Sequence, residues 1–303
     1  MKPSEVFTPF FTYNLLNFCY FFLNYLLISN KSCTFAADIK KISMRHCFLY
    51  LCLSAVLLSS SQTVWAWGQK GHRIIAQVAY DNLSFITRRK IDKVLGAHGA
   101  IYLANWPDEI KSDTIYPYSH DWHYQDLPAG LSDSALVATL TDYPKEGGNL
   151  FRAMDSLANV LRANKQDKVA LTFLVHLSGD LFCPMHMGHL DDKGGNSVKC
   201  KWFGQKTNLH AIWDGKIIES RGYSYTEYAQ FVEDRFGSDK KAILAMSETD
   251  VLRHNYALTT AIYDYQADWS GNAYHYVYRW AEPMEWQLYA AGVRLAKLLE
   301  EIY

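Results

Sequence analysis

The chain has 303 residues, of which 49 % are hydrophobic, 15 % aromatic and 20 % charged, and its formal charge is −1. This composition excludes a disordered or low-complexity chain and allows a sizeable core in one or two domains. It also excludes the broadly basic surface of a non-specific nucleic-acid binder. Any affinity for phosphate must therefore draw its positive charge from something other than Lys and Arg.

Residues 1–43 contain an aromatic-rich apolar stretch, Phe10 to Ser29, ahead of a second start signal at Met44. They read as a mis-assigned extension, with a genuine N-terminal anchor as the alternative. Residues 44–66 have the three-part layout of a secretory signal peptide. Arg45 supplies the basic start, Cys47 to Leu58 the apolar run, and Val64-Trp65-Ala66 the small residues before a cut at Trp67. The apolar run is shorter than the ~20 residues a spanning helix needs, although an uncleaved anchor is the competing reading. The expectation is a secreted or periplasmic protein with no stable membrane association after cleavage.

Cleavage removes five basic side chains (Lys2, Lys31, Lys40, Lys41 and Arg45) and two acidic ones (Glu5 and Asp38), which takes the charge from −1 to −4. Two cysteines remain, Cys183 and Cys200. In an oxidising compartment they could pair, but two cysteines are no disulfide framework.

From Trp67 onward the periodicity is helical. Ile74, Ile75, Val78, Ala79 and Leu83 mark one face of a first helix. Leu150, Met154, Leu157, Val160 and Leu161 mark a second, Val169 to Leu181 a buried third, and Leu288, Ala291, Leu295, Leu298 and Ile302 a last. Turn-rich loops fall at Tyr116–Ser119, Leu127–Ser132 and Asp191–Asn196, and a hairpin is expected around Ser197–Phe203. The economical architecture is a single mainly α domain over 67–303, with long loops and at most a small β-hairpin.

Histidine placement carries the chemistry. His176 and Asp180 stand four apart in VHLSGD, and His210 and Asp214 repeat that spacing in LHAIWDG. Such spacing puts both side chains of a pair on one helix face. Either pair alone is more simply a structural histidine near an acid. Two such pairs, with His186 in CPMH and His72, Asp108 and His123 upstream, are better explained by bound cations, because buried carboxylates are costly unless paired. Imidazole and carboxylate donors suit catalytic zinc. His98, His120, His189, His254 and His275 read as surface or structural.

Taken in order, WGQKGHRIIAQVA, WPDEIK, WHYQD, HLSGDLFCPMHMG, GGN, NLHAIWDG and AAGVRLAKLL resemble the zinc-dependent single-strand-specific nucleases of fungi and plants, the S-one/P-one type. That family shares a superfamily with bacterial zinc phospholipase C, and the resemblance runs from Trp67 to the end. It implies a mainly α, phospholipase C/nuclease-like fold and three zinc ions. Asp108, His123, His176 and Asp180 would hold the first, and His186, His210 and Asp214 the second. Trp67, His72 and the shared Asp180 would hold the third. Trp67 would contribute its α-amino nitrogen and carbonyl oxygen, which makes signal cleavage a condition of activation.

The resemblance further implies hydrolysis of the phosphodiester bonds of single-stranded DNA or RNA to 5′-phosphate products, with 3′-nucleotidase activity on nucleotides. The ions would activate a water and Asp180 would bridge two of them. Lys111 would neutralise charge on the phosphoryl oxygens. Tyr124 would stack a nucleobase, and Asp126 and Asn196 would bond its edge. Three Zn²⁺ would bring the charge of −4 to about +2, concentrated at the cleft. Cys183 departs from the fungal pattern; it could pair with Cys200, lie inert in the core, or lie near a zinc. The competing functions are phospholipase C activity and a non-catalytic secreted zinc-binding protein.

Overall fold

The computed structural model describes residues 67–265 and 273–303. The extension and signal-peptide readings over 1–66 lie outside the described residues. Among those residues the architecture is mainly α, with a single two-stranded antiparallel sheet. The longer helices are α1 (Gln69–Asn82), α2 (Phe85–Leu95), α3 (Asp133–Asp142), α4 (Leu150–Ala163), α5 (Lys168–Asp180), α6 (Tyr225–Phe236), α7 (Glu248–Asp264) and α8 (Tyr274–Ile302). The strands are β1 (Lys199–Trp202) and β2 (Gln205–Asn208). No helix among the described residues is long and apolar enough to cross a membrane.

Local chemistry starts most of these helices. Ser84 accepts from the Thr87 amide at 3.2 Å before α2, and Asp167 accepts from the Ala170 amide at 2.9 Å before α5. Ser224 with Glu227 and Ser247 with Asp250 form reciprocal capping boxes ahead of α6 and α7. Each cap satisfies backbone donors that the first helical turn leaves open.

α5 is the centre of the molecule, buried on nearly every side from Ala170 to Asp180. α1 and α8 pack alongside it. They come close because Gly292 has no side chain: a Cβ there would sit 2.5 Å from Val78 Cγ1 and 3.0 Å from the Ile75 carbonyl. Gly292→Ala is therefore expected to lower stability by about 1–3 kcal/mol, read as a fall in the urea midpoint with an unchanged slope. A stability equal to wild type would mean that the two helices separate at no cost.

The four helices expected from periodicity all form, with two adjustments. Val160 is 40 % exposed; it lies about 80° around the helix from the mean direction of Leu150, Leu157 and Leu161, which places it at the edge of the buried stripe. α8 begins at Tyr274, well before Leu288, and runs through Pro283. A proline reads as a helix boundary because it removes an amide donor. Here the burial of Tyr276, Val277 and Trp280 against the core outweighs that loss. The hairpin is displaced as well: the expected segment Ser197–Phe203 contains β1 and the start of the turn, and Gln205–Asn208 supplies the returning strand.

Candidate metal centre

His176 and Asp180 project one turn apart from α5, and both are fully buried. Around them converge His72 from α1, Asp108 from the short turn Trp106–Glu109, His123 from the end of the 3₁₀ turn Pro117–His123, and His186 from the 3₁₀ turn Pro184–Met187. Gly179 makes room for this convergence, since a Cβ there would sit 2.9 Å from His72 Nδ1. His72 stacks on His176 with ring centroids 3.8 Å apart.

Asp180 is the hub. Its Oδ1 lies 3.4 Å from His72 Nε2 and 3.5 Å from His186 Nδ1. Its Oδ2 lies 3.1 Å from His123 Nδ1 and 3.3 Å from His176 Nε2. Asp108 Oδ1 stands 3.6 Å from both His123 Nδ1 and His176 Nε2, and 2.6 Å from Lys111 Nζ. A second group lies alongside. His186 Nε2 is 3.6 Å from Asp214 Oδ1, and His210 Nε2 is 3.8 Å from Asp214 Oδ2.

The far side of several rings is pinned to backbone. His176 Nδ1 donates to the Ala104 carbonyl at 2.6 Å, and His210 Nδ1 to the Gly194 carbonyl at 2.7 Å. His186 Nδ1 faces the His123 carbonyl. A carbonyl can only accept, so each of these nitrogens carries the proton and the opposite nitrogen is left to act as a donor to a cation. This is the arrangement by which outer contacts orient metal-binding imidazoles.

The electrostatics point the same way. Burial lowers His123 to about 3, and burial with the neighbouring His186 lowers His210 to about 3. Both rings are therefore neutral near pH 7. Burial also lowers His176, yet Asp180 and Asp108 outweigh it and lift that ring to about 10, so the proton on its Nε2 is one that a bound cation would displace. Burial raises Asp180, but His176 and His186 pull it well below the ordinary carboxylate range. The pocket is built to hold positive charge among carboxylates. His123 Nε2, His186 Nε2 and Asp214 Oδ1 are buried without a hydrogen-bond partner, which is costly unless something else satisfies them. Nitrogen and oxygen donors grouped in this way fit zinc.

Three sets of ligand atoms are close enough to share an ion: His72, His176 and Asp180; Asp108, His123 and His176; and Cys183, His186 and Asp214. Seven of the expected residues, His72, Asp108, His123, His176, Asp180, His186 and Asp214, fall in these sets; His210 stands 3.8 Å from Asp214, and Trp67 is in none of them. The sets also include Cys183, buried at 1 % exposure, which stands with His186 and Asp214. It is not bonded to Cys200, and both thiols are free. The sequence motif CPMH placed Cys183 near His186 but left its direction open. Burial and the nearby Asp214 and Asp180 push its thiol well above the usual range.

Trp67 is fully buried. Its indole donates to the Gly179 carbonyl at 2.7 Å, one residue before Asp180, and the Gly68 amide donates to the Asp214 carbonyl. Trp67 and Gly68 are therefore tied to the residue before Asp180 and to Asp214 itself.

The expected base-binding residues border this cluster. Tyr124 is half-buried, directly after His123, and its hydroxyl donates to Asp121 Oδ1 at 3.2 Å. Behind it Gly148 has φ +108, and a Cβ there would meet the Tyr124 carbonyl. Asp126 is buried, which raises its carboxyl to about 8, and its Oδ1 would touch any side chain placed at Gly194. Asn196 ends the same turn. Its amide donates to the Lys193 carbonyl at 2.9 Å, and its Oδ1 accepts from Asn208 Nδ2 at 3.5 Å.

The histidines without an assigned role sit outside the cluster. His189 stacks on Tyr263, His254 lies against Trp286, His98 tilts on Tyr80, His275 meets the Tyr265 hydroxyl, and His120 pairs with Asp121.

Comparison with known proteins adds the lineage. The chain is 33 % identical to Endonuclease 3 of Arabidopsis thaliana over 171 residues, 52 % of this chain and 57 % of that protein. It is 30 % identical to Endonuclease 4 of the same plant over 177 residues, 52 % of this chain and 58 % of that protein. Nuclease S1 of Aspergillus oryzae is 28 % identical over 239 residues, 74 % of this chain and 80 % of that protein. The chain thus spans less than three fifths of the length of these two plant relatives. The family profile described as S1/P1 Nuclease matches residues 67–303, the stretch that contains every member of the cluster around Asp180. The chain belongs to the S1/P1 nuclease family.

Proposed function

We propose that residues 67–303 form a zinc-dependent nuclease that hydrolyses phosphodiester bonds of single-stranded DNA or RNA to 5′-phosphate products and also removes 3′-phosphates from nucleotides. The observation that carries this reading is the buried set of imidazoles and carboxylates gathered on Asp180. Asp108, His123, His176 and Asp180 would hold one ion, His186, His210 and Asp214 a second, and Trp67, His72 and Asp180 a third. When bound, such ions activate water and offset charge on phosphoryl and leaving oxygens.

The chain's own residues do the rest. Asp180 ties two ligand groups into one unit, so their donors cannot move apart. Lys111 Nζ, 2.6 Å from Asp108 Oδ1 and partly exposed, brings a fixed positive charge to the edge of the cluster, where phosphoryl oxygens would lie. Tyr124 offers a ring face for a base, and Asp126 and Asn196 offer polar atoms for its edge. A base gripped in this way must already be out of a duplex, which favours single strands.

The signal-peptide reading of 44–66 and the apolar, mis-assigned reading of 1–43 complete the proposal. The mature protein would begin at Trp67 and be secreted or periplasmic.

The test separates substrate binding from metal binding. Tyr124→Ala with Asn196→Ala is expected to leave zinc content and melting temperature unchanged. Cleavage of denatured DNA should fall about 10- to 100-fold, the scale of one lost base stack. Release of choline phosphate from lecithin by the wild type, with no loss of polymer, would overturn the reading in favour of a phospholipase C. Bound zinc with no turnover of either substrate would overturn it in favour of a zinc-binding protein.

A further inference from the structure

The hairpin β1–β2 follows directly from the Gly194–Asn196 turn, and its two faces differ sharply. Cys200 and Trp202 are buried and anchor the inner face. Lys199, Lys201 and Lys206 are exposed. Lys201 stands directly across the ladder from Lys206, and Lys199 lies two residues along on the same face. Like charges placed opposite one another destabilise a ribbon, and a two-stranded ribbon is marginal to begin with. Among the described residues the lysines in ion pairs are Lys70 and Lys111, so no described acid forms an ion pair with Lys199, Lys201 or Lys206.

The tip adds a second anomaly. Phe203 has φ +46, a left-handed conformation that bulky side chains rarely adopt, and its ring is 40 % exposed. It stands edge-on to Tyr274 with centroids 5.0 Å apart, and Tyr274 is itself exposed. Local choices that cost folding energy, gathered at one surface, are expected where function requires them.

This face also leads into the candidate site. Asn208, the cross-strand partner of Lys199, sends its Nδ2 to Asn196 Oδ1. Its own Oδ1 caps the turn that carries His210. About 10 Å of ribbon separates Asn208 from the tip.

We propose that the Lys199–Lys201–Lys206 face and Phe203 form a strand-guiding surface that holds single-stranded nucleic acid outside the catalytic cluster. Phosphates relieve the repulsion between Lys201 and Lys206, and a base stacks on Phe203 beside Tyr274. Both contacts are common to all nucleotides, so the surface tolerates any sequence. The inference rests on the nuclease reading above and concerns how a long substrate is held.

The experiment uses the mature, zinc-loaded protein with two substrates, a dinucleotide too short to reach the hairpin and a long homopolymeric single strand, over a range of salt. For Lys201→Ala with Lys206→Ala, kcat/KM on the long strand should fall about tenfold. The slope of its logarithm against log salt should become shallower by about 1.4, for two lost phosphate contacts. Phe203→Ala should also lose about tenfold on the long strand but keep the slope. Dinucleotide turnover and zinc content should not change in either variant. The double lysine variant should melt at the wild-type temperature or above it, because a repulsion has been removed; a merely structural role predicts the reverse. Equal losses on both substrates, or no loss on the long strand, would overturn the guiding surface while leaving the nuclease reading intact. A wild type that cleaves neither substrate would overturn both.

Discussion

Asp180→Asn is expected to strip the protein of most of its zinc and to reduce cleavage of single strands by at least on the order of 10³-fold. Asparagine keeps the size of the side chain and one acceptor oxygen, so the surrounding core has little reason to collapse. What it removes is the negative charge on which four imidazoles converge, those of His72, His123, His176 and His186. Second-contact residues around metals cost 10- to 100-fold when lost, and a carboxylate shared between two ligand groups should cost more. Metal analysis of the purified variant, beside its rate on denatured DNA, makes the measurement. Thermal melting gives an independent reading: added zinc should stabilise EDTA-treated wild type by mass action and leave the variant unmoved. A variant that keeps its full metal content and rate would remove Asp180 from the centre of the proposal.

A single residue left ahead of Trp67 should have an effect of similar kind. Protein that retains Ala66 is expected to bind one zinc ion fewer than protein beginning at Trp67, and to lose on the order of 10²-fold or more in activity. An amide nitrogen has its lone pair delocalised into the peptide bond, whereas a free α-amino group with pKa near ~8 is readily deprotonated by a cation. The surrounding structure gives the backbone no freedom to swing aside. The Trp67 indole is held by the Gly179 carbonyl and the Gly68 amide by the Asp214 carbonyl. N-terminal sequencing and metal counting on the two forms provide the comparison. Three ions and full activity in the Ala66-bearing form would detach activation from cleavage.

The helices that carry the site were legible because their patterns are local. The repeat of α5 places His176 and Asp180 on one face whatever surrounds them, and the apolar stripes of α1 and α4 follow from the same geometry. Other elements gave no such signal. α6 and α7 begin at capping boxes, but α7 buries Asn255 and Thr259 among its apolar residues, and that mixture blurs the stripe on which a periodicity reading depends. The passage of α8 through Pro283 was hidden for a related reason, since the gain that offsets the proline comes from residues distant in sequence.

The residue types and spacings by themselves determined which side chains could bind cations, and in what order along the chain they occur. Tertiary structure decided that four imidazoles converge on Asp180, that Cys183 stands with His186 and Asp214 while Cys200 stays in the hairpin, and that Lys201 faces Lys206. The reason is physical: periodicity records the direction of a side chain relative to its own helix or strand, whereas a shared ligand or a cross-strand pair depends on where separate elements are brought by burying their apolar faces together.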